Sequence, residues 1–254
     1  MTDSSTETLE SAMPRLRLAV LCLFLSPIAL ADTVTVAVAS NFQQTLDKIA
    51  VAFKAATGHD IKASAGASGK LAAQIRQGAP FDVFLSADDE RPTELAKAGV
   101  GVPSSQFTYA YGQLALWSKQ RDDAGEAALR RGDFNKLAVA NPSTAPYGRA
   151  AMETLAALKL DAAVKPKLLT GDNIGQTMQF AQVGGADFAF VAYSQLLEQG
   201  IHSHYWLVPE KLHQPIRQDA LQLKPTPAAG ALMAFLKGEQ ARALMAQAGY
   251  RFKP

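Results

Sequence analysis

Residues 65–88 read AGASGKLAAQIRQGAPFDVFLSAD, and this stretch decides the fold class. Its apolar residues first recur at the spacing of a helix face, until Gly78 and Pro80 end the helix. A short apolar strand follows at 81–87, and another strand, DIKAS, precedes the helix at 60–64. A helix that connects two such strands is typical of α/β folds with parallel sheets.

The same alternation of strands and helices continues along the chain. Further strands are predicted at 33–39, 113–118, 137–141 and 186–193. Further helices are predicted from Phe42 to a stop at Gly58, at 92–99, around 149–158, from near Ile174, and at 228–249 as one terminal helix. The sequence contains no internal repeat, low-complexity tract or long linker. The chain is therefore predicted to be an α/β protein with mostly parallel sheets.

The N-terminal residues are predicted to be an export signal. Arg15 and Arg17 precede an apolar run at 18–31 that ends in Ala-Leu-Ala, which is typical of a secretory signal peptide cut after Ala31. A membrane anchor is the alternative, but the run is shorter than the roughly 20 apolar residues that a span needs. Cys22 is the one cysteine of the chain and lies in this run, so the exported protein is predicted to have no disulfide.

The charge balance argues against two classes of partner. The chain has 25 Lys and Arg residues against 23 Asp and Glu residues, which gives a net charge of +2. Binding to nucleic acids or to membrane surfaces relies on strongly basic segments. We therefore expect neither partner.

Four predicted turns share one feature: a strand is followed by a short polar loop that opens a helix. These loops lie at 40–41, 67–69, 146–148 and 172–175. Taken singly, each is explained as an ordinary helix cap. Taken together they are more specific, because the carboxyl ends of parallel strands meet at one edge of a sheet. Several helix N-termini at that edge can bind an anion without lysine or arginine.

Two catalytic motifs of similar composition do not fit the 65–88 stretch. A phosphate-binding P-loop needs Ser or Thr after Gly-Lys, but Leu71 follows Lys70. A nucleophile elbow needs Gly-x-Ser-x-Gly, and the segment 66–69 is one residue short of it. Since no acid–base pair is recognisable either, the protein is predicted not to be an enzyme, with a hydrolase as the weaker alternative.

Two further sets of residues have an ordinary interpretation. His202, His204 and His213 have a spacing that a metal site could use, but surface histidines are the preferred interpretation. Asp172 stands beside the fourth turn, where a carboxylate would repel an anion. We expect it to face solvent or to cap a helix.

Six runs of the sequence resemble the periplasmic molybdate-binding proteins of ABC importers. In chain order they are VAVASNF, GASGKLAAQIRQGAPFDVFLSAD, FTYAYGQLALWS, NPSTAPYGRA, GDNIGQT and ADFAFVAYSQL. The resemblance implies a two-lobed periplasmic binding protein of type II, with a mostly parallel sheet flanked by helices in each lobe and the ligand in the interlobe cleft. It implies a periplasmic monomer without a cofactor that binds molybdate or tungstate and delivers it to the membrane permease. Sulfate or another oxyanion is the alternative ligand.

The resemblance also places the residues of the oxyanion site. Carried over position by position, the contacts fall on Ser40, Asn41, Ser68, Tyr147 and, through its backbone N–H, Ile174. Tyr193 matches a late-strand tyrosine of the enteric members, whereas the Ser40-Asn41 turn is similar to a second, soil-bacterial type. Tyr147 is therefore expected to be the ligand, and Tyr193 and Gly69 are expected to line the site. The metal expected there is the molybdenum or tungsten of the oxyanion itself.

The resemblance finally divides the chain into domains. The expected parts are the signal peptide at 1–31, the first part of lobe I at 32–112, lobe II at 113–219, and the C-terminal part of lobe I at 220–254. Two extended segments, near 109–116 and 216–221, are expected to join the lobes and to act as a hinge.

The expected ligands restrict the chemistry of the site. Molybdate, tungstate and sulfate carry no proton at neutral pH, so a matching site consists of donors: the hydroxyls of Ser40, Ser68 and Tyr147, the Asn41 amide and backbone N–H groups. Phosphate keeps a proton and would need a buried acceptor, which the four turns do not offer. Sulfate is smaller, and a stiff cavity is expected to reject it because it cannot reach every donor at once.

Overall fold

The structure is a computed structural model that describes Met1 and residues 32–253. The predicted signal peptide, with Cys22 and its cleavage site, lies outside the described residues. Within 32–253, no helix has both the length and the apolar character that crossing a membrane requires.

Ten strands in the described part of the chain form two five-stranded sheets. The strands are β1 (Thr33–Ala39), β2 (Asp60–Gly66), β3 (Val83–Leu85), β4 (Phe107–Gly112), β5 (Leu114–Trp117), β6 (Leu137–Ala140), β7 (Leu168–Gly171), β8 (Phe188–Ala192), β9 (Tyr205–Leu207) and β10 (Ile216–Gln222). The first sheet has the order β2-β1-β3-β10-β4 and the second has the order β7-β6-β8-β5-β9. In each sheet one strand, β10 or β5, is antiparallel to both of its neighbours, and the other four share one direction. The sheets are therefore mostly parallel, as predicted.

Helices cover both sheets. They are α1 (Gln43–Thr57), α2 (Ser68–Arg76), α3 (Glu90–Lys97), α4 (Glu126–Arg131), α5 (Pro146–Ala157), α6 (Asp161–Val164), α7 (Ile174–Gln182), α8 (Tyr193–Glu198), α9 (Pro227–Lys237) and α10 (Glu239–Gln247). We define lobe I as the first sheet with α1–α3, α9 and α10, and lobe II as the second sheet with α4–α8. This is the predicted two-lobed α/β architecture.

Each lobe has its own apolar core. In lobe I, the predicted stripe of α1 with Leu46, Ile49 and Phe53 is fully buried and packs with residues of β1, α9 and α10. In lobe II, Phe188 and Phe190 of β8 are fully buried in a cluster that includes residues of β6 and α5. The lobe II cluster also includes Ala39, Ala67 and Ala87 from the turns of lobe I, so apolar packing continues across the interface at which these three residues line a small pocket.

The chain passes between the sheets twice. The first passage is Gln113, between β4 and β5, and the second lies between β9 and β10 at 208–215. All of β10 pairs with strands of lobe I. The predicted segment of lobe II, 113–219, had included the first residues of β10, which therefore belong to lobe I.

The predicted terminal helix is wrong in one respect. It is two helices, α9 and α10, because Gly238 adopts an extended conformation with φ −76° and ψ 162°. Short elements were also missed, namely β7, β9, α4, α6 and α8. Three to six residues are too few to establish a helical or strand period.

Candidate functional site

The turns after five strands meet at one small pocket between the lobes. They follow β1, β2, β3, β6 and β7. The five residues predicted to contact an oxyanion all line this pocket: Ser40, Asn41, Ser68, Tyr147 and Ile174. The cavity has a volume of about 10 Å³, whereas sites for drug-sized organic ligands measure roughly 300–1,000 Å³. The pocket is therefore suited to a small ion.

Three of these five residues belong to the first turns of helices. Ser68 is the first residue of α2, Tyr147 is the second of α5 and Ile174 is the first of α7. Backbone N–H groups of a first turn have no acceptor within their own helix, and the helix dipole makes that end partly positive. Asn41 occupies a similar place in the 3-10 turn Ser40–Phe42, which leads into α1. The pocket thus collects backbone donors that suit an anion.

The Ser68 hydroxyl is buried and oriented by lobe I. Its Oγ accepts a hydrogen bond from the backbone N–H of Ala87 at 2.9 Å. A hydroxyl has one proton to donate, and accepting this bond does not use it. Ser68 can therefore donate to a ligand while Ala87 fixes the position of its oxygen.

The side chain of Asn41 is engaged with lobe I. Its Nδ2 donates to Gln218 Oε1 at 2.9 Å and to the Tyr250 hydroxyl at 3.0 Å, and that hydroxyl donates to the Asn41 carbonyl at 2.8 Å. The amide nitrogen was predicted to donate to the ligand. In this arrangement the backbone N–H is the donor of Asn41 that remains for an ion.

The Tyr147 hydroxyl reaches the passage between the lobes. It lies beside Gly112 and Gln218. Burial raises the pKa of Tyr147 well above its ordinary value, and the neighbouring Tyr250 adds to this, while the nearby Gln218 side chain opposes it. Tyr147 is therefore a neutral phenol at physiological pH. Its position offers the pocket its backbone N–H, whereas the hydroxyl was predicted as the donor.

The two residues predicted to line the site lie in different places. Tyr193 packs against Tyr205 with ring centroids 5.5 Å apart, and the structure does not bring it to the pocket. The hydrogen bond between these two phenols, together with burial, raises the pKa of Tyr193 to about 12. Gly69 is not among the residues that line the pocket, and its N–H donates to the Thr144 carbonyl of lobe II at 2.9 Å.

Polar contacts like that of Gly69 join the lobes on several sides of the pocket. They are Thr45–Glu198 at 2.9 Å, Lys70–Asp172 at 3.0 Å, Arg91–Ser143 at 3.2 Å, Arg149–Glu90 at 2.9 Å and Ser194–Asn41 at 3.2 Å. Contacts on opposite sides require the two lobes to be close together. The structure therefore shows the closed arrangement.

Comparison with known proteins places this architecture in a family. The sequence profile of the bacterial extracellular solute-binding proteins matches residues 34–251. The chain belongs to this family of solute-binding proteins. Two relatives named molybdate-binding protein ModA, from Azotobacter vinelandii and Rhodobacter capsulatus, are 46% and 43% identical to it. Each alignment covers 87% of this chain, with 91% of the first relative and 89% of the second.

A solved structure supports the same assignment. The periplasmic molybdate-binding protein of Azotobacter vinelandii superposes on this solute-binding protein with a TM-score of 0.83 and 34% sequence identity. The match covers 87% of this chain and 100% of the other. The resemblance to the molybdate-binding proteins and the two-lobed fold that it implied are both confirmed.

This solute-binding protein has an uncharged pocket inside a charged rim. Every residue that lines the pocket in the described part of the chain is neutral. The rim contains ion pairs between the lobes, such as Lys70–Asp172 and Arg149–Glu90. The hydrogen bond from Arg149 lowers the pKa of the Glu90 carboxyl. The expectation that Asp172 faces solvent agrees with this pairing, since the side chains of Lys70 and Asp172 both stay about half exposed or more.

The residues of the site that were not predicted include Ala87, Gln218 and Tyr250. Ala87 lines the pocket at the end of β3, but α3 begins three residues later at Glu90, so no cap marks the turn. Gln218 and Tyr250 hold Asn41 from 177 and 209 positions away in the chain. Local patterns carry no signal for contacts at such separations.

The structure does not arrange the three histidines as a metal site. Among residues 32–253, no group of three or more His, Cys, Asp or Glu side chains is arranged to hold a metal ion. His213 instead contacts the carbonyl of Gln214 through Nδ1 at 2.7 Å.

Proposed function

We propose that the protein binds molybdate, and tungstate in the same way, in the periplasm and delivers it to the membrane permease of an ABC importer. Two relatives above 40% identity and a solved structural neighbour carry the name of molybdate-binding proteins. The proposal also depends on the pocket, which is small, neutral and surrounded by helix starts.

One observation carries the proposal: five residues from four separate turns converge on a cavity of about 10 Å³ without a charged side chain. A proton-free dianion accepts hydrogen bonds at every oxygen and donates none. The pocket offers the backbone N–H groups of Asn41, Ser68, Tyr147 and Ile174 with the hydroxyls of Ser40 and Ser68. The protein's task in this proposal is binding and release, with no catalysis.

The same donors account for the proposed selectivity. Hydrogen phosphate would bring its proton into a site of donors, and an unpaired buried polar group costs about 1–3 kcal/mol. Sulfate has no proton, so size must exclude it. Donors fixed by packed helices cannot follow a smaller tetrahedron, and each lost charge-assisted bond costs about 1.5–3 kcal/mol.

Lobe closure completes the proposed mechanism. We propose that lobe I, with its C-terminal part extended to begin at Ile216, moves against lobe II about the two passages, Gln113 and 208–215. Ser40 and Ser68 belong to one lobe and Tyr147 and Ile174 to the other, so an ion between them stabilises the closed form. In this proposal the protein is an exported monomer whose signal peptide is cleaved after Ala31. Once closed around the ion, it presents its rim to the permease.

Isothermal titration calorimetry of the exported protein tests the proposal. Wild type should bind molybdate and tungstate tightly, and sulfate and phosphate at least a hundredfold more weakly. Ser68→Ala removes one hydroxyl donor and should raise the molybdate Kd about 10- to 150-fold.

Ser118→Ala is the matched control. Ser118 is also fully buried and its Oγ also accepts backbone N–H groups, from Gln120 and Arg121, but it lies away from the pocket in lobe II. Its molybdate Kd should equal that of wild type. Heat of binding with sulfate but not with molybdate would show that the protein serves another oxyanion.

A further inference from the structure

The last residue of α8 is a glutamate that is buried where lobe II meets lobe I. The side chain of Glu198 is 3% exposed, whereas those of the rim carboxylates Glu90 and Asp172 are 54% and 67% exposed. A negative charge at the C-terminal end of a helix is unfavourable, because that end of the helix dipole is itself negative. The helix that carries Glu198 therefore does not stabilise its charge.

In the described part of the chain, both hydrogen-bond partners of this carboxylate belong to lobe I. The Thr45 hydroxyl donates to Glu198 Oε1 at 2.9 Å, and Lys48 Nζ forms an ion pair with Oε2. Thr45 is fully buried, whereas the Lys48 side chain is 56% exposed. The two residues are three positions apart in α1 and therefore share one face of that helix. Within residues 32–253, the buried charge is thus compensated across the boundary between the lobes.

The other end of α8 contacts the first turn of the pocket. Ser194 is the second residue of α8 and is 3% exposed, and its hydroxyl donates to the Asn41 carbonyl at 3.2 Å. Asn41 belongs to the 3-10 turn Ser40–Phe42, which continues directly into α1. One end of α8 therefore holds the pocket turn, and the other end holds the helix that follows this turn.

We propose that Glu198 is a positioning residue that fixes the first turn of the pocket against lobe II when the lobes close. In the closed protein its carboxylate holds α1 through Thr45 and Lys48, and the turn at the start of α1 is thereby held beside the donors of lobe II. In the open protein the carboxylate separates from α1 and is hydrated. The inference rests on the proposed function, because the bound oxyanion is the ligand that closes the lobes.

An ion pair with a buried carboxylate has an asymmetric effect on closure. Removing the cation leaves a buried charge without compensation, which is strongly unfavourable, whereas replacing both partners by neutral groups of similar size has little effect. In the open form water solvates a charge that has lost its partner. The penalty for removing Lys48 alone is therefore confined to the closed, ion-bound form, and it weakens binding.

Lys48→Met tests the proposal, because methionine keeps an unbranched side chain and removes the ammonium group. Glu198 then enters the closed form with the Thr45 hydroxyl as its partner and without a cation. The molybdate Kd, measured by calorimetry, should rise at least about tenfold. The melting temperature of the ion-free protein should stay that of wild type, since the open form does not use the ion pair. A lower melting temperature of the ion-free variant would indicate a structural role within lobe I and would contradict the proposal.

Adding Glu198→Gln to Lys48→Met should restore binding. Glutamine keeps the shape of the side chain and can still accept from the Thr45 hydroxyl, but it buries no charge. The molybdate Kd of the double variant should return to within about threefold of the wild-type value. If the double variant binds as weakly as Lys48→Met or more weakly, the lost contact and not the uncompensated charge weakens binding, and the proposal is wrong.

Lys54→Met is the matched control for Lys48→Met. Lys54 lies in the same helix and is similarly exposed, at 60%, but it pairs with Asp60 of its own lobe at 2.8 Å. Closure neither forms nor breaks that pair, so the molybdate Kd of Lys54→Met should equal that of wild type. An unchanged Kd in Lys48→Met, or equal losses in the two lysine variants, would overturn the proposal. A wild-type protein that does not bind molybdate would instead overturn the proposed function.

Discussion

The pocket and the rim around it join the same two lobes with opposite chemistry. In the pocket, the neutral residues Ser68 and Tyr147 are each 1% exposed. In the rim, the side chains of Lys70 and Asp172 form an ion pair while remaining 48% and 67% exposed. An exposed ion pair contributes about 0–1 kcal/mol, whereas a buried hydrogen bond to a charged group contributes about 1.5–3 kcal/mol. The pocket should therefore determine affinity and specificity, and the rim should only adjust closure.

This difference also explains why the pocket lacks lysine and arginine. A flexible cation attracts any anion of suitable charge and adapts to its size. Backbone donors at helix starts are held by the packing of entire helices, so they measure the shape of the ion as well as its charge. The cations of the rim are paired with carboxylates, which limits their attraction for competing anions.

The largest effect should come from a negative charge inside the pocket. Asn41→Asp keeps the size of the side chain and places a carboxylate beside a dianion. At a separation of about 4 Å and an effective dielectric constant of about 20, the repulsion costs at least about 4 kcal/mol, so the molybdate Kd should rise more than a thousandfold. Calorimetry measures this directly.

Asn173→Asp provides the comparison for that prediction. Asn173 caps α7 by accepting from the N–H of Gln176 at 3.0 Å, and an aspartate can cap in the same way. Asn173→Asp adds the same charge at the fourth turn, but residue 173 does not line the pocket. The molybdate Kd of this variant should therefore change less than tenfold. Equal losses in the two variants would mean that general electrostatics, and not contact in the pocket, governs binding.

A smaller effect should come from blocking the passage between the lobes. Gly112→Ala adds a Cβ that cannot coexist with the present position of the Tyr147 hydroxyl. Overpacking of this kind costs about 1–3 kcal/mol, here in the closed form, so the molybdate Kd should rise about 5- to 150-fold. Small-angle scattering should show a larger radius of gyration at molybdate concentrations that close the wild type.

Gly230→Ala is the control for Gly112→Ala. Gly230 lies in α9, and an added Cβ there meets no atom within 4 Å. Alanine is the better helix former, so this variant should keep its affinity and gain a little stability. A Gly112→Ala protein with unchanged Kd would show that closure does not bring Tyr147 to the passage.

The pocket could be predicted from the sequence, whereas the rim could not. The pocket residues stand directly after predicted strands and at predicted helix starts, as Ser68 does between β2 and α2, so local patterns were enough to group them. The rim pairs and the contacts of Asn41 with Gln218 and Tyr250 join residues that only the folded chain brings together. No local pattern indicated that Asn41 would be held by Tyr250.

Predictions from local patterns were wrong where tertiary packing determines the structure. The apolar period runs through Gly238 without a change, so one terminal helix was predicted where there are two. The Asn41 amide and the Tyr147 hydroxyl were assigned to the ion because their residues match the turns. The structure instead pairs the Asn41 amide with Gln218 and Tyr250 and places the Tyr147 hydroxyl beside Gly112, and side-chain direction of this kind cannot be inferred from spacing.

The smallest effect should come from the rim. Glu90→Gln removes the charge that pairs with Arg149 across the lobes, and both side chains are about half exposed. The molybdate Kd should rise by no more than about fivefold, and by less at high salt. Because Arg149 lowers the pKa of Glu90 below its ordinary value of 4.5, the carboxylate is fully charged well above that value, and its contribution is lost as the pH falls through the lowered pKa. The Kd ratio of variant to wild type should therefore be the same at pH 7.5 and pH 5.5. If the Kd ratio instead falls towards one when the pH is lowered from 7.5 to 5.5, a group other than Glu90 controls the contribution of the rim to affinity.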